Sequence, residues 1–308
     1  MEELKKDGHT STTLSDHKGG PYIEKADRIC SQFIGVVVLY NVRVEESVTI
    51  NSLNKSLVFI DETMDLVVYD NSLESDRLSG TIFIYGGFRI HYFHDGSNPG
   101  ISKAYNFAAQ YGKELKKEWL LVLDQDTTFP LDSIEKYSFA IHENPEIKLI
   151  APVLTLNNGK NVSPCRYFLK RGFALKRVLT GVNDLKKISL LNSGMLINLG
   201  AFSLVGGYNE KVRLDFCDFV FIEEFKKMYS FCFILDVKCV HDFADDNSDI
   251  EKLNGRYGNY CRDAKSCPKE SVIDWVQYFV VVFVRASSLV VRTGRLAFYK
   301  TMYRNFIK

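Results

Sequence analysis

The chain has 308 residues and 46% hydrophobic content, enough for one large α/β domain with an appendage or for two modest domains around a real core. Its formal net charge of +1 excludes a global positive field that would draw it to nucleic acid. The seven cysteines include no Cys-x-x-Cys pair, which argues against zinc and for reduced thiols in a cytosolic protein.

The N-terminal segment is polar. The stretch MEELKKDGHTSTTLSDHKGG lacks the apolar core of a signal peptide. We therefore expect residues 1–32 to form a flexible polar extension ahead of a folded domain at residues 33–245.

Strand-like and helix-like segments alternate from Phe33 onward. Apolar runs predict buried strands over residues 34–41, 65–72, 89–95, 119–124 and 148–156. The apolar residues between Ile101 and Ala109 recur at helical spacing and predict an amphipathic helix. This alternation is typical of a mostly parallel sheet with helices on both faces.

Two aspartates one residue apart, Asp124 and Asp126, end the apolar run at residues 119–124. Open α/β sheets bind ligands at the carboxyl ends of their strands, and Mg²⁺ and Mn²⁺ prefer carboxylate oxygens. Two acids at a strand end are also common as a helix cap or a turn. The triplet alone leaves both interpretations open.

Polar residues follow each of the first four predicted strands. They are Tyr40 and Asn41, Asp70 and Asn71, residues 95–100, and Asp124 and Asp126. Each one alone is an ordinary turn former. On adjacent strands, however, they would build one polar rim that could bind a nucleotide diphosphate.

An ordered set of motifs carries a family resemblance. The segments VVVLYN, VVYDNS, NPGISKAYN and LVLDQD are followed by NSGMLINLGAFSLVGGYNE and LDFCDF. This set resembles the family 2 glycosyltransferases, inverting enzymes with the GT-A fold, and among them the bacterial rhamnosyltransferase branch. The match covers roughly residues 34–242. It implies a Rossmann-like, mostly parallel sheet flanked by helices, with a C-terminal helical appendage.

The resemblance also implies a donor site. Residues expected to bind the nucleotide-sugar are Tyr40, Asn41, Asp70, Asn71, Asn98, Gly100, Lys103, Asn106, Asp124, Gln125, Ser193 and Gly194. Asp126, with Asp124 and His241, would hold Mg²⁺ or Mn²⁺, which can stabilise charge on a departing diphosphate. A lone histidine at a strand end is more often structural, so only the resemblance makes His241 a candidate ligand.

The catalytic base is expected in the second half. By motif position Asp218 would deprotonate the acceptor hydroxyl, with Asp215 beside it, and the two would share a helix face if the segment is helical. Alternatively, either acid caps the following helix, FVFIEEFKKMY. Family members commonly carry an arginine about six residues later, where this chain has Glu223 and Glu224. This departure puts the acceptor's identity in doubt.

Residues 246–308 form a C-terminal region of different character. Its apolar stretch after Pro268 is interrupted by Arg285, which makes it too short for a membrane span. Six cations and no acid occur from there to the end: Arg285, Arg292, Arg295, Lys300, Arg304 and Lys308. Interleaved with aromatic residues, they suit an interfacial helix on an anionic membrane. The alternatives are helices packed on the sheet domain or a homodimer contact.

The sequence therefore predicts a cytoplasmic glycosyltransferase, peripheral on the inner face of the cell membrane. It would move a sugar, L-rhamnose from dTDP-rhamnose, onto a glycan or lipid-linked acceptor in bacterial O-antigen or capsule synthesis. A UDP-hexose or UDP-galactofuranose donor is an alternative, as is a non-catalytic subunit that binds nucleotide-sugar. A nucleotidyltransferase would need a glycine-rich phosphate loop after the first strand, which VVVLYNVRVEES lacks.

Overall fold

The structure, a computed structural model, describes residues 30–242 and 249–308. The N-terminal extension predicted at residues 1–32 lies outside the described residues, except for its last three. Residues 243–248, at the predicted boundary between the sheet domain and the C-terminal region, also lie outside them.

A large sheet forms the centre of the protein, and a two-stranded hairpin lies apart from it. The strands are β1 (Phe33–Leu39), β2 (Met64–Asp70), β3 (Thr81–Tyr85), β4 (Phe88–His94), β5 (Trp119–Asp124), β6 (Thr127–Thr128), β7 (Leu149–Thr155), β8 (Asn161–Ser163), β9 (Cys165–Phe168), β10 (Arg171–Ala174), β11 (Gly181–Asp184), β12 (Met195–Asn198) and β13 (Phe231–His241). Strands β9 and β10 form the separate hairpin.

The main sheet is mixed, with a parallel centre. Its strand order is β11-β13-β7-β12-β5-β1-β2-β4-β3, with β6 paired to β13 and β8 to β7. Strand β1 runs parallel to β2 and β5, and β2 runs parallel to β4. Strand β12 lies antiparallel between β5 and β7. All seven residues of β1 are buried, as expected for a strand covered on both faces.

Helices cover both faces of this sheet. They are α1 (Val48–Phe59), α2 (Ile101–Glu114), α3 (Ser133–Glu143), α4 (Leu199–Leu204), α5 (Cys217–Met228), α6 (Ile250–Ser266), α7 (Val272–Thr293) and α8 (Ala297–Met302). One core cluster contains Leu53 of α1 and Tyr137 of α3. The other contains Tyr105 of α2, Phe221 of α5 and Tyr278 of α7. The predicted α/β architecture is confirmed.

The five predicted strands and the helix after residue 100 are all present as β1, β2, β4, β5, β7 and α2. The sequence interpretation did not identify β3 or the hairpin formed by β9 and β10. These strands are short and only partly buried, so they carry no continuous apolar run. The hairpin becomes important for the surface beside the candidate active site.

The C-terminal helices pack against the sheet domain. Tyr257 of α6 donates a hydrogen bond from its hydroxyl to the carbonyl of Val282 of α7 at 2.9 Å, and both side chains are buried in the core. Phe298 of α8 is fully buried in the same cluster. This arrangement agrees with the alternative of helices packed on the sheet domain.

Helix α7 differs from its prediction in length. It runs for 22 residues and passes through Arg285, so by length and composition it could cross a membrane, although 28% of its most apolar window is buried in the protein. The Arg285 guanidinium lies 4.5 Å from the ring centre of Tyr260, on the inner side of the helix. The other five cations of the predicted basic set are exposed.

Candidate active site

The carboxyl ends of β1, β2 and β5 meet at one edge of the sheet. The register pairs Leu39 of β1 with Asp70 of β2, and Val38 of β1 with Asp124 of β5. The two aspartates therefore lie on either side of the end of β1. The predicted polar rim is formed by the ends of adjacent parallel strands.

Asp124, Asp126 and His241 come together at this edge. Each offers one ligand atom, and these atoms all lie within 4.8 Å of one another. His241 ends β13, whose pairing with β6 places it opposite Thr127. Its Nδ1 lies 3.5 Å from Asp126 Oδ1 and 2.8 Å from Thr127 Oγ1. The histidine is thus fixed beside the two carboxylates by the strand pairing.

The electrostatics of this group suit a divalent cation. Asp126 Oδ1 is buried and accepts no hydrogen bond from the described residues. Burial raises the pKa of Asp124 and of Asp126, while the nearby His241 opposes both shifts. A cation among these oxygens would stabilise their ionised forms. Two carboxylates and an imidazole fit Mg²⁺ or Mn²⁺.

Ser193 and Gly194 support the end of β5. The Ser193 hydroxyl accepts a hydrogen bond from the Asp124 backbone N–H at 3.3 Å and lies 2.8 Å from Thr127 Oγ1. Gly194 has φ +86°, and a Cβ there would lie 2.6 Å from Pro152 Cγ. Only glycine fits this position. Both residues therefore contact the strand end that carries the aspartates.

A cavity of about 350 Å³ opens beside the end of β2. Asp70 accepts hydrogen bonds from the Ser72 N–H at 2.9 Å and from the Tyr92 hydroxyl at 2.5 Å. The Asn41 N–H donates to Ser72 Oγ at 2.8 Å. The polar residues lining the cavity include Asn41, Arg43, Glu46, Asp70, Ser72 and Tyr92.

Tyr40, Gln125 and Asn71 lie near the same strand ends. The Gln125 side chain accepts a hydrogen bond from the Tyr40 N–H at 2.8 Å, which ties the end of β1 to the turn between the two aspartates. The Tyr40 ring is exposed. Asn71 is buried, and its Oδ1 has no hydrogen-bond partner within the described part of the chain.

The four predicted residues around the start of α2 have protein partners. Asn98 lies in a left-handed turn, and Gly100 has φ +101°, where a Cβ would lie 2.4 Å from the carbonyl oxygen of Arg213. Lys103 pairs with Asp95 at 3.2 Å. The Asn106 side chain bonds both the N–H and the carbonyl of Tyr208, each at 2.8 Å. Gly100 and Asn106 therefore join α2 to residues 208–213, while Lys103 pairs with the loop just before α2.

Asp215 and Asp218 lie on either side of the start of α5, which begins at Cys217. Phe216 occupies the N-cap position in a left-handed conformation, φ +69° and ψ −7°. Asp218 is in the first turn, while Asp215 precedes the helix, so the two do not share a helical face. Neither is the N-cap residue, although Asp218 Oδ1 accepts the N–H of Phe219 at 2.8 Å.

The Asp218 carboxyl has an environment suited to a general base. Burial is the main cause that raises the pKa of Asp218 to about 7; the charges of Asp124 and Asp215 act in the same direction, and the Phe219 N–H opposes the shift. A base is most effective when its pKa is near the working pH.

Asp263 of α6 holds the loop ahead of Asp218. It is 4% exposed, and its carboxylate accepts the backbone N–H groups of Arg213 at 3.1 Å, Leu214 at 3.0 Å and Asp215 at 2.8 Å. Sequence reasoning missed this residue, because it lies in a polar helical segment without a motif.

The same loop also contacts the start of α2. The Arg213 carbonyl accepts the Ile101 N–H at 2.8 Å, and the Ser102 hydroxyl donates to the Val212 carbonyl at 2.5 Å. Residues 212–218, which we call the base loop because they include the candidate base, are therefore held between α2 and the C-terminal helix α6.

Asp215 is largely buried at the end of this loop. Arg256 Nη2 lies 3.4 Å from Asp215 Oδ1, and Oδ2 has no hydrogen-bond partner among residues 30–242 and 249–308. Burial raises the pKa of Asp215, and the charges of Arg256 and Arg285 oppose that shift.

The acids found in place of the family's arginine form ion pairs. Glu223 pairs with Lys170 of the hairpin turn at 2.7 Å. Glu224 pairs with Lys227 at 2.9 Å, and Lys227 also contacts Glu270 at 2.8 Å. Glu223 and Glu224 are therefore both neutralised by neighbouring lysines.

Comparisons with known proteins found a similar curated sequence, while no family model matches the chain. The chain is 26% identical over 229 residues to dTDP-rhamnosyl transferase RfbF of Shigella flexneri, covering 73% of each protein. Crystal structures of S. aureus TarS 1-349 align with it at TM-scores of 0.49 with UDP-GlcNAc and 0.48 with UDP. The first has 14% identity and covers 89% of this chain and 79% of that chain. The second has 15% identity and covers 85% and 74%.

Proposed function

We infer that this chain is a family 2 glycosyltransferase with the GT-A fold, from the rhamnosyltransferase-like branch. The support comes from the ordered motifs, the confirmed sheet architecture and the similarity to RfbF. We propose that it transfers L-rhamnose from dTDP-L-rhamnose to a glycan or lipid-linked acceptor of a bacterial surface polysaccharide. A UDP-sugar donor is the second candidate.

One observation carries the proposal. The carboxyl of Asp218 has its pKa raised to about 7, and it would share a cleft with the group formed by Asp124, Asp126 and His241. An inverting transfer needs a base for the acceptor and positive charge beside the departing diphosphate. Asp218 would supply the base, and Asp124, Asp126 and His241 fit a metal ion that would supply the positive charge.

The donor nucleotide would lie along the rim of strand ends. The cavity beside Asp70 is large enough for a nucleobase or ribose and is lined by several hydrogen-bonding groups. Asp124 would lie near the ribose or a metal-bound water. Asn98, Gly100, Lys103 and Asn106 would act mainly by shaping the start of α2, since Lys103 and Asn106 have protein partners.

The reaction would be one in-line displacement. Asp218 would remove the acceptor proton as the acceptor oxygen attacks the anomeric carbon opposite the diphosphate, which inverts the configuration. Asp124, Asp126 and His241 would hold a Mg²⁺ or Mn²⁺ ion, whose positive charge stabilises the departing diphosphate by several kcal/mol. Asp215 would contact the acceptor or sugar beside the base.

A lipid-linked acceptor calls for contact with the inner membrane surface. Helix α7 supports this through exposed apolar residues. Ile273, Val276, Val280 and Val284 recur every three to four positions, Phe283 lies beside Val284, and Val291 follows two turns later. The exposed cations Arg292, Arg295, Lys300, Arg304 and Lys308 follow along the chain. We propose that this region touches the membrane peripherally, with its inner face still packed on α6.

The test is transfer by the purified protein. It is incubated with dTDP-rhamnose or a UDP-sugar, a bacterial glycan acceptor and Mn²⁺, and the released nucleotide diphosphate and the anomeric configuration of the product are measured. We expect turnover with one donor, an inverted linkage, and loss of activity with EDTA. Metal-dependent nucleotide binding without turnover on any donor and acceptor would instead support the non-catalytic subunit.

A further inference from the structure

The hairpin β9–β10 presents an unusual outer face. Its register places Arg171 opposite Phe168 and Phe173 opposite Arg166, so these four side chains share one face. Phe168 is 53% exposed and Phe173 is 42% exposed. Each arginine lies over the phenylalanine two residues further on, at 5.8 Å and 5.6 Å from the ring centre. The face is both apolar and cationic.

The inner face of the hairpin packs beside the candidate base. The Tyr167 ring stacks on Phe219 with centres 4.7 Å apart, and a Cβ at Gly172 would lie 2.9 Å from Phe219 Cζ. Phe219 directly follows Asp218. The inner face of the hairpin therefore adjoins the residue next to the proposed base, and the outer face points the other way.

The hairpin turn is held in a strained conformation. Leu169 and Lys170 both have left-handed backbones, φ +50° and +56°, which side-chain-bearing residues rarely adopt. Lys170 is buried and pairs with Glu223 at 2.7 Å and with Asp274 at 3.1 Å. These ion pairs lock the turn to α5 and to the first turn of α7, while Leu169 stays exposed.

Charge is concentrated around this face. The segment from residue 166 to residue 183 contains five cations and no acid, in a chain whose net charge is only +1. Four of the cations are exposed: Arg166, Arg171, Lys176 and Arg177. The exposed large apolar side chains of this segment are Phe168, Leu169, Phe173, Leu179 and Val182. Aromatic rings and long cationic side chains together suit the interface of an anionic bilayer.

We propose that this hairpin face, residues 166–179, docks on the surface of an anionic lipid bilayer. Phe168, Leu169 and Phe173 enter the headgroup region, and Arg166 and Arg171 contact lipid phosphates. The inference rests on the proposed function, because docking would bring the active site to an acceptor that is carried by the bilayer. It adds a contact on the catalytic side to the one proposed for α7, so that the cleft opens beside the membrane.

The test is co-sedimentation of the full chain with vesicles of phosphatidylglycerol and phosphatidylcholine, or of phosphatidylcholine alone. The Arg166→Gln/Arg171→Gln variant removes two cations, each worth about fivefold in binding to an anionic surface, so we expect a loss of about 25-fold. The Phe168→Ser/Phe173→Ser variant should lose at least tenfold, roughly what the burial of two partly exposed rings supplies. Wild type should bind the anionic vesicles and release them in high salt.

A matched control is available on the other face of the sheet. Phe59 on α1 and Phe139 on α3 are 64% and 50% exposed, and Phe59→Ser/Phe139→Ser should leave vesicle binding unchanged. Val276→Ser/Phe283→Ser reports the contribution of α7. The proposal is overturned if wild type does not bind anionic vesicles, or if only the α7 variant loses binding. It is also overturned if the hairpin variants change the oligomeric state and not the vesicle binding.

Failure of the docking can be told apart from failure of the proposed function. Transfer to a soluble glycan without vesicles should be unaffected by the hairpin variants, because these side chains lie outside the cleft. If wild type transfers no sugar from any donor, the proposed function fails, and the vesicle assay still decides whether the hairpin binds membranes.

Discussion

The proposed donor side of the cleft consists of side chains at the ends of adjacent parallel strands, whereas the proposed acceptor side depends on the base loop, residues 212–218, which belongs to no strand. Asp70 and Asp124 are positioned by a sheet register that buried apolar runs enforce. Asp215 is positioned by Asp263, 48 residues further along the chain. Regular strand pairing is thus enough to position the proposed donor-side residues, while the proposed base needs contacts between residues that are far apart in sequence.

Among the variants, removal of the proposed base, Asp218, should reduce the transfer rate most. A positioned base contributes about 10² to 10⁴ in rate, so Asp218→Asn should lower kcat by that factor. Metal-dependent nucleotide binding should stay as in wild type, because the donor side keeps its own residues. Steady-state transfer and nucleotide titration measure the two effects. Asp236→Asn, an exposed acid on β13, is the control. A kcat within about threefold of wild type would exclude Asp218 as the base.

Loss of a metal ligand should affect the donor side instead. A ligand at 100 times its dissociation constant stabilises a fold by about 2.7 kcal/mol, which shifts the unfolding temperature by several degrees. We expect this shift with dTDP and Mn²⁺ in wild type and not in Asp126→Asn. Asp132→Asn, an exposed acid six residues later, should keep it. An equal shift in Asp126→Asn would place the metal elsewhere.

A variant of Asp263 tests whether the acceptor side can be disturbed without a change in nucleotide binding on the donor side. An amide in Asp263→Asn offers one acceptor oxygen, so it cannot receive the N–H groups of Arg213, Leu214 and Asp215 as the carboxylate does. Misplacement of a catalytic group by 1 Å can cost about 100-fold, and we expect kcat to fall by about 10- to 100-fold with nucleotide affinity unchanged.

The matched control for Asp263 lies on the same helix. Asp249 caps α6 by accepting the Glu251 N–H at 2.8 Å and does not contact the base loop. Asp249→Asn should therefore keep kcat, although it weakens the helix end. Hydrogen exchange of residues 213–215 should accelerate only in Asp263→Asn. Equal exchange in the two variants would show that Asp263 does not hold the loop.

The same difference explains what the sequence could predict. Buried strands appear as apolar runs, so the positions of Asp70, Asp124 and Asp126 at one sheet edge could be inferred from the amino-acid sequence alone. The contact of His241 with this edge needed the pairing of β13 with β6, a two-residue strand that no pattern reveals. Asp263 and the hairpin act through contacts across the fold, and no local periodicity encodes such contacts.

The pH dependence of activity and stability should have opposite signs at Asp218. Activity requires the ionised base, so kcat/KM should rise with pH through about 7 and level off above it. Folding favours the protonated carboxyl, because the pKa of Asp218 is raised from 3.8 to about 7 by burial. The native state therefore binds more protons than the unfolded chain between those values, and this group's contribution to stability falls as pH rises across them.

The Asp218→Asn variant removes the buried charge. At about pH 8 it should therefore unfold at a higher temperature than wild type while transferring little sugar. At about pH 4 the unfolding temperatures of the two proteins should converge. A lower unfolding temperature for Asp218→Asn at the alkaline pH would mean that the native cleft stabilises the ionised carboxylate, and that burial does not raise the pKa of Asp218.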